Sequence, residues 1–278
     1  MSAISTSVDN RKFANLAWPR TVWAIGAVHG DVDRLRAAHD FLAQKARPGD
    51  RVVYLGNLIG RDGQGRATLD EIITFRRNLL AVPGMLVGDI VYLRGIQEEM
   101  WQKLLQLQFA PNPAEVLQWM LDNGVADTLA GYGGSSREGL VAAREGPVQL
   151  TRWTSRLRES IRQAAGHNAL FASLKRAAYT EPRHPGDGAG ALFVSAGIDP
   201  GRPLQHQGDT FWWGFGGFAR VEPGYQEFGR FVRGYAGGDG TVEDTDAHLT
   251  LDGGSGRGGG VAMAQLDANG AALDLFRI

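Results

Sequence analysis

The period of the apolar positions changes along the chain. Short, mostly apolar runs, Val22–Ile25, Arg51–Leu55 and Ile90–Leu93, each stop at or beside a glycine. Runs this short, bounded by turn residues, predict buried strands. Between the first two the spacing switches to three and four: Val32, Leu35, Ala38, Phe41 and Leu42 share one face of a helix predicted over Asp31–Ala46, which Pro48-Gly49 closes. A second helix is predicted over Thr68–Leu80. Strand, glycine loop and helix thus recur within the first 105 residues, a βαβ pattern that implies a parallel sheet. Functional groups in such sheets gather at the carboxyl ends of the strands, which singles out loops 26–31, 56–63 and 94–99.

Residues 100–180 read as a mostly helical insertion, with Leu150, Trp153, Leu157, Ile161 and Ala164 in one apolar stripe. Arg152/Arg156 and Arg158/Arg162 lie on other faces, as a solvated surface or a partner-binding one. A breaker-rich connection at 181–190 leads to further predicted strands: Ala191–Ser195, Phe228–Arg233, His248–Leu251 and Gly260–Leu266. The first 20 residues are expected to be a loose leader and residues 21–278 one domain. Glycine accounts for 39 of 278 residues and is dense after residue 186, which points to a half rich in loops. The stretch Gly253–Gly260 lacks the lysine of a phosphate-binding loop and is expected to be a tight turn at the edge of a second sheet.

Composition removes several function classes. The formal net charge of -1 gives no global attraction to nucleic acid or to an anionic membrane. The absence of cysteine excludes disulfides, zinc–thiolate sites and thiol catalysis. No signal-type segment opens the chain, and no apolar run approaches the roughly 20 residues of a membrane span. A cytoplasmic location without membrane insertion is therefore expected.

Five loops, each expected after a strand, carry the candidate chemistry. They read Gly26-Ala27-Val28-His29-Gly30, Gly56-Asn57-Leu58-Ile59-Gly60-Arg61-Asp62, Gly95-Ile96-Gln97-Glu98, Ser195-Ala196-Gly197 and Gly234-Tyr235-Ala236. LRG precedes the third, AGIDPGRPLQ runs on from the fourth, and LDGGSGRGG lies near the end. In order and frame the set resembles the calcineurin-like metallophosphoesterases, in their bacterial branch related to serine/threonine protein phosphatases. That family carries G-D-x-H-G, G-D-x-x-D-R-G, G-N-H-E, H-A-G and G-H-T. The resemblance implies two mixed β-sheets packed as a sandwich and flanked by helices, an α/β fold, with the helical insertion added. It also implies two divalent metals held at the positions of Ala27, His29, Asn57, Ile96, Ser195 and Tyr235, with a general acid at Gln97.

Of those seven residues only His29 keeps the family's side chain. Ala27 and Ile96 have no donor atom, Asn57 cannot bridge two cations as a carboxylate does, and Gln97 has no titratable proton. The expectation is a chain without catalytic residues, metal or cofactor, a pseudophosphatase that binds a protein partner or a phosphorylated ligand. The alternatives are a phosphoric monoester hydrolase with an atypical metal site, and a purely structural subunit of an assembly. Asp31, Asp62, Glu98, Asp239 and Asp252 lie near enough in sequence to recruit a metal differently. Arg61, Arg94 and Arg233, with His29, are candidates for an anion pocket, because guanidinium groups suit phosphate. Phe211, Trp212, Trp213, Phe215 and Phe218 are either core or a docking surface.

Overall fold

A computed structural model describes residues 9, 11–182, 189–238 and 240–278. The strands are β1 (Phe13–Asn15), β2 (Val22–Ile25), β3 (Arg51–Tyr54), β4 (Ile90–Tyr92), β5 (Ala177–Tyr179), β6 (Gly190–Val194), β7 (Phe228–Arg233), β8 (Val242–Asp244), β9 (His248–Leu251), β10 (Ala262–Leu266) and β11 (Ala272–Arg277). The helices are α1 (Val32–Lys45), α2 (Gly65–Leu80), α3 (Ile96–Leu104), α4 (Pro113–Met120), α5 (Ala126–Gly131), α6 (Ser136–Glu145), α7 (Pro147–Gln163), α8 (His167–Ser173), α9 (Thr210–Trp213) and α10 (Phe215–Phe218).

The described strands form two mixed sheets, ordered β11-β10-β2-β3-β4 and β1-β5-β6-β7-β9-β8. β2, β3 and β4 run parallel, as do β6, β7 and β9. β10 and β11 close the first sheet antiparallel. Side chains alternate between two cores, as a pleated strand requires. Val22, Ala24, Val53 and Leu55 meet Phe193, Val232, Leu249 and Ala264 between the sheets. Trp23, Ile25, Val52 and Tyr54 face the helices instead. Both faces are covered, which is why β2 and β3 are continuous apolar runs rather than alternating ones.

The helices start where local chemistry allows. The Asp31 carboxylate accepts the Arg34 N–H and caps α1, Ser135 caps α6 in the same way, and α4 and α7 open on Pro113 and Pro147. His39 ties α1 to its neighbours: Nδ1 meets the Glu71 carboxylate of α2 at 2.6 Å and Nε2 meets the Tyr54 hydroxyl of β3 at 2.7 Å. Leu150, Trp153, Leu157 and Ile161 form the buried stripe of α7, and Ala164 is buried just beyond it.

Two expectations change. The leader is not loose throughout: Phe13–Asn15 pair parallel with β5, and Phe13 packs edge-on against Phe211 at 6.0 Å. A three-residue strand with one large apolar side chain leaves no period to read. The Gly253–Gly260 turn does not lie at a sheet edge. It joins β9 of one sheet to β10 of the other, and there Gly256 packs against His29 and Arg61.

The crossing between sheets leaves no room at Gly26, where a Cβ would lie 1.9 Å from the Leu251 carbonyl oxygen. Gly26→Ala should therefore cost at least about 2 kcal/mol in urea unfolding. Gly216→Ala, where an added Cβ meets nothing within 4 Å, should be nearly neutral. Equal stability of the two variants would contradict this close approach.

Candidate functional site

The loops after β2, β3, β4, β6 and β7 converge at the carboxyl ends of their strands. Val28 and His29 N–H both donate to the Asn57 carbonyl, at 3.0 and 2.7 Å. Asn57 Oδ1 accepts the Gln97 N–H at 3.1 Å. Gly234 and Tyr235 N–H donate to the Ser195 carbonyl, and Ala27 N–H donates to that of Gly234. The His29 and Tyr235 rings meet edge to face at 5.1 Å. All seven sequence-predicted positions are thus brought together, and Ala27, His29, Asn57, Ile96, Gln97, Ser195 and Tyr235 are all buried.

The loop geometry is demanding. His29, Asn57 and Arg61 adopt φ of 52°, 54° and 64°, next to Gly30, Gly56 and Gly60, which are also left-handed. A non-glycine residue held there stores strain that the surroundings must hold in place. One buried carboxylate does much of the holding. Glu98 accepts backbone N–H bonds from Asn57 (2.9 Å), Leu58 (2.7 Å), Ile59 (3.2 Å) and Gly95 (2.8 Å). Burial raises its pKa and the four amides pull it back down. Removing the acceptor strands several buried amides, so Glu98→Ala should lower stability by about 3 kcal/mol or more, read from chemical unfolding.

Three segments close over the cluster. The insertion bends between α4 and α5, where Asn123 and Gly124 leave helical dihedrals. There the Asn123 carbonyl accepts from Gln97 Nε2 at 2.9 Å and the Gly124 carbonyl from Arg61 N–H at 3.2 Å. The glycine-rich turn adds Ser255, whose hydroxyl donates to the Val28 carbonyl, and Arg257, which donates to the Tyr235 hydroxyl at 3.1 Å. Phe215 packs edge-on against Tyr235 at 5.7 Å. Ser255, Arg257 and the 123–124 bend escaped the sequence reading. A lone arginine inside a glycine cluster was the visible signal for the turn, and the Asn123-Gly124 dipeptide for the bend.

Inside this cover several polar atoms have no partner among the described residues: both His29 ring nitrogens, Asn57 Nδ2, Arg61 Nε, Gln97 Oε1 and Ser195 Oγ. His29 is held neutral, its pKa lowered to about 3 by burial first and by the Arg61 and Arg257 charges second.

These donors do not fit a pair of divalent cations. Two adjacent cations need anionic oxygen ligands, and the cluster offers one neutral imidazole, two amides, a hydroxyl and a phenol. The nearby acids are committed elsewhere. Asp31 caps α1 and pairs with Arg34 at 2.5 Å, Glu98 holds the amides, and Asp252 accepts from Ala236 and Gly254 N–H. Asp62 lies at the exposed surface, and Asp239 lies outside the described residues. Among the described residues no three His, Cys, Asp or Glu side chains are grouped to hold a metal ion.

Two of the anion candidates are turned to internal partners. Arg94 pairs with Glu99 at 3.1 Å. Arg233 donates to Thr250 Oγ1 at 3.0 Å and lies 4.4 Å over the Phe218 ring, and burial lowers its pKa. Arg61 and His29 remain together at the site. Phe211, Trp212 and Phe218 are core, whereas Trp213 is 39% exposed and its ring lies 5.6 Å from that of Trp119, itself 47% exposed. Arg156 and Arg162 make surface ion pairs with Glu138 and Glu159. No described helix is long and apolar enough to cross a membrane.

His29 and His39, the latter lowered to about 4 mainly by burial, both stay neutral when folded. Below about pH 6.5 the unfolded chain binds protons that the folded chain refuses. Stability should be full above that pH and fall on acidification by up to roughly 1.4 kcal/mol per pH unit for each histidine. Glu98, shifted upward, offsets part of the loss. His29→Asn should flatten the slope between pH 6.5 and 5 in unfolding titrations. An unchanged slope would contradict a buried neutral imidazole.

No family model matches the sequence, and no curated protein matches it by sequence. Solved structures do match the fold. One described as a diadenosine tetraphosphatase is 14% identical, with 96% of this chain and 97% of that one covered and a TM-score of 0.51. A Saccharomyces cerevisiae serine/threonine phosphatase with similarity to human phosphatase PP5 is 12% identical over 96% and 82%, at a TM-score of 0.46. A metallophosphoesterase from Sphaerobacter thermophilus is 13% identical over 94% and 88%, at 0.42. The first of these spans nearly all of both chains, and the fold of this protein, two mixed sheets flanked by helices, is metallophosphoesterase-like.

Proposed function

We propose that this chain is a non-catalytic relative of the metallophosphoesterases that works by binding a protein partner. The observation that carries the reading is the state of the cluster around His29. The seven side chains are gathered as a two-metal site would gather them, yet they are buried and lack anionic ligands. Phosphoester hydrolysis by such a site needs cations that activate a water and neutralise the phosphoryl oxygens. Neutral His29 and Gln97 supply neither a cation cage nor a titratable acid in its place.

A protein partner is favoured over a phosphorylated ligand by two features. Arg94 and Arg233 have internal partners, which removes most of the expected anion pocket. The Trp119–Trp213 pair is left partly exposed, and aromatic side chains of this kind are common at the centres of protein interfaces.

Purified protein incubated with manganese and a chromogenic phosphate monoester tests the reading. The expected result is no turnover above that of a Gln97→Ala, His29→Ala double variant purified identically. Turnover that follows the wild-type protein through every column, stops with chelator and is lost in the double variant would establish a working hydrolase.

A further inference from the structure

A separate cavity of about 600 Å³ lies between β1, β4, α2 and α8. β1 and β4 are each an edge strand of their sheet, and a bridge between Leu93 and Lys175 joins the two sheets on this side, so the cavity sits at a seam beneath the helices. Its apolar walls include Phe13, Ile73, Ile90, Val91 and Leu170. Its charged lining is of one sign: Arg76 and Arg77 from α2, and Lys175 just after α8, with no acid among the described lining residues. Neither Arg76 nor Arg77 makes an ion pair among the described residues, and Lys175 Nζ donates to the Arg11 carbonyl at 3.1 Å.

Tyr92 supplies an independent observation. It lines the same cavity and is 4% exposed, and its buried hydroxyl has no hydrogen-bond partner among the described residues. Leaving such a group unpaired is destabilising, a cost that a polar ligand atom would recover. Cavities of this volume with apolar walls and a few converging polar groups are how proteins hold small molecules. Uncompensated guanidinium groups select a carboxylate or phosphate head, and the walls select an apolar body.

We propose that this cavity, lined by Arg76, Arg77, Lys175 and Tyr92 over walls that include Phe13, Ile73 and Leu170, binds an anion with an apolar body, a carboxylate or phosphate carried on an acyl chain. The proposal is independent of the fate of the His29 cluster, since the two sites share no lining residue.

Calorimetric titration of the full chain with octanoate, octyl phosphate, octanol and inorganic phosphate tests it. One equivalent of octanoate or octyl phosphate should bind at least tenfold more tightly than octanol or inorganic phosphate. The tighter of the two identifies the head group. Arg76→Gln/Arg77→Gln should weaken that binding tenfold or more, and Tyr92→Phe several-fold. Ala169→Trp, which fills the mouth from an exposed position on α8, should abolish it, with thermal unfolding confirming that each variant is folded. No saturable binding by either anion, equal binding of octanol, or binding that survives Ala169→Trp would each overturn the proposal.

Discussion

Backbone amides of Asn57, Leu58, Ile59 and Gly95 converge on the single buried carboxylate of Glu98. The loops after β3 and β4 are joined through it, and the loop after β2 hangs from the Asn57 and Leu58 carbonyls. Left-handed backbone at His29, Asn57 and Arg61 survives inside this frame. A carboxylate that accepts several backbone N–H bonds ties these loops together through their backbones. Its burial is tolerated because each lone pair is engaged.

The frame explains why the loops can stay in place while their side chains change. The tight approaches are backbone matters: a Cβ at Gly95 would meet Asn57, and one at Gly56 would meet Gly95 and Ser195. Side chains pointing into the enclosed space are under less constraint. They form a set of buried polar atoms with few partners among the described residues, covered by the 123–124 bend, the 255–257 turn and Tyr235. Burial in such a space penalises a charged side chain, and the neutral His29 shows the direction of that pressure.

The sequence made the parallel strands and the first two helices legible because both faces of β2 and β3 are buried and α1 and α2 carry clear apolar stripes. It made the site legible through glycine spacing, since glycines mark the left-handed turns and close approaches that any occupant of those loops must keep. β1, β5, β8 and β11 were not legible: the first three are three residues long without the continuous large apolar run that marks β4, and β11 is largely exposed. Nor could the sequence show that Arg94 and Arg233 would turn to Glu99 and Thr250, because those partners depend on tertiary placement. Glu98 appeared as one more candidate ligand, and only its four amide donors reveal it as a structural anchor. The cavity by Tyr92 is built from four separated stretches of chain and left no local signature.

The central claim is that the space enclosed by His29, Asn57, Ile96, Ser195 and Tyr235 does not hold paired divalent cations. Anomalous diffraction at the manganese edge, from crystals grown and soaked in manganese, measures this directly. The account predicts no anomalous peak within bonding distance of those five residues. Two peaks a few ångströms apart among them would contradict it.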